Sequence, residues 1–236
     1  MSRCLVVMQP TFLPWPGYFN LMSEADDFVF LDDVQLEKQS WQTRNRLLFT
    51  GAPCWVSVPV RHTNLAQTIQ QTEILDSSHW RAKLARGFAL NYSKHPYYDD
   101  AGEVIEELVA HPGKRLAELN EAVIRLIAKR LQLTPAMHRA SDTHVAGERS
   151  DRLIDLCRTF SAGTYLSPLG SADYLSEDGF SARSSVQLRF QDYSPKPYPQ
   201  RGVGEFHSHL STLDLIANMG WNSARNYVLN GTSGHE

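Results

Sequence analysis

Between residues 9 and 45 the chain gathers side chains able to grip and act on an anionic or hydroxylated ligand. Gln9 closes an apolar run, and Trp15, Gly17 and Tyr18 follow in a proline-rich turn. Asp32 and Asp33 close a second apolar run, ahead of Gln35, Lys38, Trp41, Arg44 and Asn45. A guanidinium forms two parallel hydrogen bonds to a carboxylate or phosphate and an ammonium acts as a point charge, so Arg44 and Lys38 together suit an anion. Gln9, Gln35 and Asn45 add amide donors and acceptors, while Trp15, Tyr18 and Trp41 offer flat faces to a base or a sugar ring. The catalytic candidates are Asp32, as the base, and Lys38, as a charge-holding partner. Each has a plainer alternative. Trp15 can pack beneath its loop, Lys38 and Arg44 can be solvated surface charges, and aspartates favour turns that follow strands.

Other chemistry is less well provided. His207-x-His209 would place two imidazoles on one face of a strand, but no carboxylate or cysteine at metal-ligand spacing accompanies them, and their role stays open. No Gly-x-Ser-x-Gly occurs. Cys4, Cys54 and Cys157 lie in apolar surroundings, an odd and unclustered set that reads as buried thiols in a reducing compartment. No metal site is expected, and the residues name no cofactor.

The elements that must position these groups follow from periodicity. Residues 5–8 and 28–31 read as buried strands flanking a turn and a short helix, a strand-turn-helix-strand unit of an open sheet. Ligands of such sheets sit beyond the carboxyl ends of the strands, where Gln9 and Asp32 fall. Residues 46–49 and 54–60 read as a hairpin about Thr50-Gly51-Ala52-Pro53, and 72–75 as a short strand. Trp80, Leu84, Phe88 and Tyr92 mark one helix and 99–110 a second. Residues 114–133 mark a third, with Leu116, Leu119, Val123, Leu126, Ile127 and Leu131 on one stripe. Residues 134–147 read as a linker, and a helix from Ser150-Asp151 is stopped by Gly163. Residues 164–175 read as strand, small-residue turn and helix, a second cradle for an anion. A strand at 185–190 and a loop at 193–204 follow. Ser211-Thr212-Leu213-Asp214 then reads as a capping box, opening a helix that ends at Gly220 before a last helix from Trp221 to Asn230. The expectation is an α/β fold with a parallel or mixed sheet, an inserted helical segment at roughly 79–133 and C-terminal helices. The whole of 1–236 is expected to form one domain.

With 42% hydrophobic residues, 21% charged and a net charge of −3, the chain has the balance of a soluble protein without a broad electrostatic footprint for nucleic acid. Met1-Ser2-Arg3 runs straight into a strand too short for a secretory segment, and no apolar run approaches membrane-spanning length. A cytoplasmic protein without membrane insertion is expected.

Two resemblances bear on function. Trp15-Pro16-Gly17-Tyr18 takes the place of His-x-Gly-His in nucleotidylyltransferases, but both imidazoles that would stabilise the transferring phosphates are missing. A closer one begins at Gln9-Pro10-x-Phe12-Leu13-Pro14-Trp15-x-Gly17-Tyr18-Phe19, Ala25-Asp26-x-Phe28-Val29-x-Leu31-Asp32 and Lys38-x-Ser40-Trp41-Gln42-x-Arg44-Asn45. With Trp55-Val56-x-Val58-Pro59-Val60, Tyr165-Leu166-Ser167 and Leu210-Ser211-x-x-Asp214-Leu215, the chain resembles the WbqC-like protein family over nearly its whole length. Pro168 stands where that resemblance leads one to expect glycine, which puts the backbone donors of that turn in doubt. The resemblance implies a bacterial cytoplasmic transferase of surface-polysaccharide (O-antigen-type) biosynthesis. Its substrate would be a small sugar or nucleotide-linked molecule, onto which an aminoacyl, specifically glycyl, group would be attached. An aminoacyl-tRNA donor is the one nucleic acid it leaves room for. The rival expectations are a nucleotidylyltransferase-like enzyme and a non-catalytic carbohydrate- or nucleotide-binding partner protein.

Overall fold

The computed structural model describes residues 2–230; Met1 and residues 231–236, part of the span expected as one domain, lie outside the described residues. In chain order the strands and helices are β1 (Cys4–Met8), α1 (Pro16–Ser23), β2 (Asp27–Phe30), β3 (Arg44–Phe49) and β4 (Ala52–Ser57). Then come α2 (Trp80–Tyr92), α3 (Tyr98–Ala110), α4 (Leu116–Arg130), β5 (Ala136–Arg139), α5 (Ala140–Thr143) and α6 (Arg149–Thr159). β6 (Thr164–Ser167), α7 (Ala172–Glu177), α8 (Phe180–Arg183), β7 (Gln187–Phe190) and α9 (Thr212–Leu229) complete the series.

Five strands form one sheet in the order β5-β2-β1-β6-β7, and every neighbouring pair is parallel. The alternation of side chains sorts β1 between two cores. Val6 joins Phe28, Phe30 and Leu166 under residues of α1, α2, α3, α4 and α9, while Leu5 and Val7 join Val29 and Tyr165 under α6, α7 and α8. A strand buried on both faces needs a continuous apolar run, which Leu5-Val6-Val7 supplies. The chain builds outward from β1 through β2 to β5, then crosses to the other side of β1 for β6 and β7, so the strand order reverses between β1 and β6. The β3–β4 hairpin is a separate antiparallel pair, with Arg44 opposite Ser57 and Arg46 opposite Trp55.

Four local expectations are corrected. Residues 134–147 hold edge strand β5 and helix α5, not a linker; Ala136-Met137-His138-Arg139 lacks an apolar run because it is a half-exposed edge strand. Residues 72–75 make only isolated bridges, Glu73 with Arg115 and Val60 with Ile74. Ser211 does cap α9, its Oγ accepting from Leu213 N at 3.2 Å, but Asp214 does not answer it: the Ser211 N–H donates to Arg46 O and the Asp214 carboxylate turns inward to two tyrosines. His207 and His209 lie in a segment, 191–211, without regular structure rather than on a strand. The break at Gly220 is present. Its φ of +71° belongs to glycine, and an added Cβ would sit 2.7 Å from the Tyr97 ring. Among the described residues no helix is long and apolar enough to cross a membrane.

Candidate functional site

The point where strand order reverses, at the carboxyl ends of β1 and β6, is where open parallel sheets make their crevices. The loop leaving β1 is anchored there by polar side chains. Tyr18 Oη donates to Gln9 O at 3.2 Å and Gln42 Nε2 to Gln9 Oε1 at 2.7 Å. Asn45 Nδ2 donates to Phe12 O (3.2 Å) and Leu13 O (2.8 Å), which holds Leu13 at its φ of 45°. Asn120, a buried polar side chain in the middle of α4, donates to Pro10 O and Gln42 O, both at 2.9 Å. The Trp15 ring packs against Gly17, where a Cβ would fall 2.2 Å from it, and stacks on His209 at 4.7 Å. Gly17 is thus the seat of Trp15.

Burial pushes the Tyr18 phenol well above its ordinary value, and does the same to Tyr92 and Tyr198. A phenol raised in the folded state contributes stability in full below its unfolded value near 10 and loses it as pH climbs further. Phenolate absorbance at about pH 11 is therefore expected to fall short of all nine tyrosines until the protein unfolds. Full ionisation with the fold intact would contradict these environments.

A polar cleft of about 400 Å³ opens where β2 and β5 end, lined by Asp32, Gln70, Arg115, Arg139, Ser141 and Asp142 among others. Asp32, 2% exposed, lies just beyond β2. Ser141, at the start of α5, donates its N–H to Asp32 Oδ1 (3.1 Å) and its hydroxyl to Oδ2 (2.7 Å). Gln70 N donates to Asp32 O at 2.8 Å, bringing the turn before residue 72 across the cleft. Arg139, the last residue of β5, sets its Nε 2.9 Å from both oxygens of Glu121, which is buried in α4. Burial raises the Glu121 pKa, and the Arg139 bond opposes that rise. The neighbouring carboxylate, Asp33, turns away to Arg152 at 2.5 Å, so the two aspartates do not act as a chelating pair. Among the described residues no group of three His, Cys, Asp or Glu side chains is placed to hold a metal.

The expected site residues therefore fall into four places. Gln9, Trp15, Gly17, Tyr18 and Asn45 build and brace the loop after β1. Asp32 faces the cleft. Gln35 and Lys38 are exposed on the loop after β2, with Gln35 Nε2 donating to Leu65 O. Trp41 and Arg44 lie with Trp55 on the outer side of the hairpin, Trp41 5.4 Å and the Arg44 Cζ 4.2 Å from the Trp55 ring centre. In the second cradle, after β6, the Ser171 N–H is already bonded to Pro168 O. Arg139, Ser141, Asn120 and Glu121 escaped the sequence. Their one signal is that Asn120 and Glu121 interrupt the apolar spacing of α4.

A profile of the WbqC-like protein family matches residues 9–226. The chain belongs to that family. An uncharacterized protein of Mycobacterium tuberculosis is 27% identical over 218 residues, covering 92% of this chain and 94% of its own length. No solved structure matches the chain. The match begins at Gln9, so the loop after β1, the cleft and the hairpin all lie in the part of this WbqC-like chain that the family shares.

Proposed function

We propose that this WbqC-like protein is a cytoplasmic transferase of surface-polysaccharide biosynthesis that moves an aminoacyl group onto a hydroxyl or amine of an activated sugar. The observation that carries the reading is Asp32, a carboxylate locked by both donors of Ser141 on the wall of a cleft large enough for a sugar. A carboxylate oxygen accepts more than one hydrogen bond, so Asp32 keeps lone pairs for a substrate proton after Ser141 is served. In this reading Asp32 takes the proton from the attacking hydroxyl or amine as the new ester or amide bond forms, the acyl carbon's ester or thioester bond to its donor breaks, and the donor leaves as the alcohol or thiol with that proton. Arg115 and Arg139, on the wall of the cleft, hold the anionic part of the substrate. The nucleotidylyl reading finds less support, because the Tyr18 hydroxyl, in the place of a phosphate-binding imidazole, is buried and bonded to Gln9 O.

A thermal-shift panel of sugar nucleotides, ATP and CTP with and without Mg²⁺, coenzyme A derivatives, glycine and tRNA tests this. A ligand at a hundred times its Kd adds about 2.7 kcal/mol, or about 5–10 °C for a chain of this size. Sugar nucleotides are expected to give such a rise, and Arg115→Ala to reduce it. A rise only with ATP or CTP plus Mg²⁺ would replace this reading with the nucleotidylyl one.

A further inference from the structure

The outer face of the β3–β4 hairpin carries a cluster that the cleft chemistry does not use. Trp41 and Trp55 are 47% and 48% exposed, far more than their size predicts for packing residues. Arg44 lies over the Trp55 ring at 4.2 Å and Arg46 at 5.8 Å. Neither guanidinium has a carboxylate within ion-pair distance among the described residues. The Nε of each is buried without an acceptor. Among the described residues Arg46 bonds through Nη2, to the carbonyls of Ser208 and His209 at 3.5 and 3.4 Å.

We propose that this face binds a nucleoside 5′-diphosphate group, its base laid on Trp41 and its phosphates held by Arg44 and Arg46. The two arginines are two residues apart on one strand, hence about 6.6 Å apart at their Cα atoms, so adjacent phosphates fall within reach of both forks. Stacking on Trp55 pre-organises the guanidiniums, and an already oriented fork gives up little freedom on binding. Trp55 is taken by the arginines, which leaves the tilted neighbour, Trp41, to stack a base. A neutral sugar would instead need carboxylates or amides to bracket its hydroxyls. Neither strand position paired with the arginines supplies one: Ser57 is opposite Arg44 and Trp55 opposite Arg46, and Asn45 points inward. The diphosphate can come from a free nucleotide or from a nucleotide-activated sugar. The platform is a second site, apart from the cleft where Arg115 and Arg139 hold the anionic part of the substrate, and it depends neither on them nor on Asp32.

Calorimetric titration with UDP, ADP, UDP-glucose, uridine and pyrophosphate tests it on the wild type and on three variants of exposed or half-exposed residues, Arg44→Ala, Arg46→Ala and Trp41→Ala. UDP and ADP are expected to bind and uridine to bind at least about tenfold more weakly. UDP-glucose matching UDP would assign the activated sugar as a source; UDP-glucose failing to bind would assign free nucleotide. Each arginine variant should weaken UDP about tenfold. Trp41→Ala should weaken UDP about 5–30-fold and leave pyrophosphate unchanged. Absence of nucleotide binding to folded wild type, or UDP binding unchanged in both arginine variants, overturns the platform. Asp32→Asn should bind UDP as the wild type does. A sugar-nucleotide response lost in Arg115→Ala but kept in all three hairpin variants would overturn the platform alone and leave the cleft reading standing.

Discussion

Asp32→Asn is expected to cut turnover by about 10²–10⁴-fold while leaving substrate affinity within a few-fold. The substitution keeps shape and removes the capacity to take a proton. It also tests catalysis with little disturbance of the fold, because the Ser141 hydroxyl can rotate from donating to Asp32 to accepting from an asparagine amide. Steady-state kinetics on the activated sugar that passes the thermal-shift panel would check it. A base that acts only in the transition state lowers kcat and kcat/KM together, whereas a mere binding contact raises KM with kcat kept. A variant with full turnover would remove Asp32 from the chemistry.

The largest effect on stability is expected at Asp214. Its side chain is fully buried near the start of α9, where Oδ1 accepts from Tyr92 Oη at 2.7 Å and Oδ2 from Tyr198 Oη at 2.7 Å and Gln200 Nε2 at 3.3 Å. The Tyr92 oxygen in turn accepts from Leu48 N at 2.9 Å, so one carboxylate ties together the hairpin, α2, the irregular segment over residues 191–211 and α9. Asp214→Ala strands two phenols, at about 1–3 kcal/mol for each group, while Gln200 Nε2 keeps its bond to His207 O at 2.9 Å. A loss of about 3–5 kcal/mol, or about 6–20 °C in Tm, is expected in thermal unfolding. Asp214→Asn keeps the volume and should lose less. Burial raises the Asp214 pKa, against the bonds from Tyr198 and Tyr92. The folded state then holds this proton to higher pH than the unfolded chain does. The group's contribution is therefore full below the ordinary carboxylate range and falls as pH rises through the window above it. The wild type should show that decline relative to Asp214→Asn, and parallel profiles would contradict the assignment.

Much of the architecture was legible because it rests on strong local signals. Leu5-Val6-Val7, the stripe of α4 and the glycine at 220 each specify one conformation by burial periodicity or by φ. β5 was not legible, because an edge strand needs no apolar run and His138 and Arg139 look like loop residues until β2 pairs with them. The site was legible in type more than in place. Gln9, Tyr18 and Asn45 are polar groups whose partners are backbone carbonyls and a glutamine brought in by folding, which no spacing announces. Ser141 and Arg139 reach Asp32 and Glu121 across gaps in sequence of 109 and 18 residues. Asp214 misled for a related reason: Ser-x-x-Asp fits a capping box, and two distant tyrosines won its carboxylate.

The most direct test is a structure of the protein with a bound sugar nucleotide. A sugar hydroxyl or amine is expected within about 3 Å of an Asp32 carboxylate oxygen, with Arg139 or Arg115 on the anionic part of the molecule in the cleft. A cleft left without a sugar ring, with Asp32 still bonded to Ser141 alone, would contradict it.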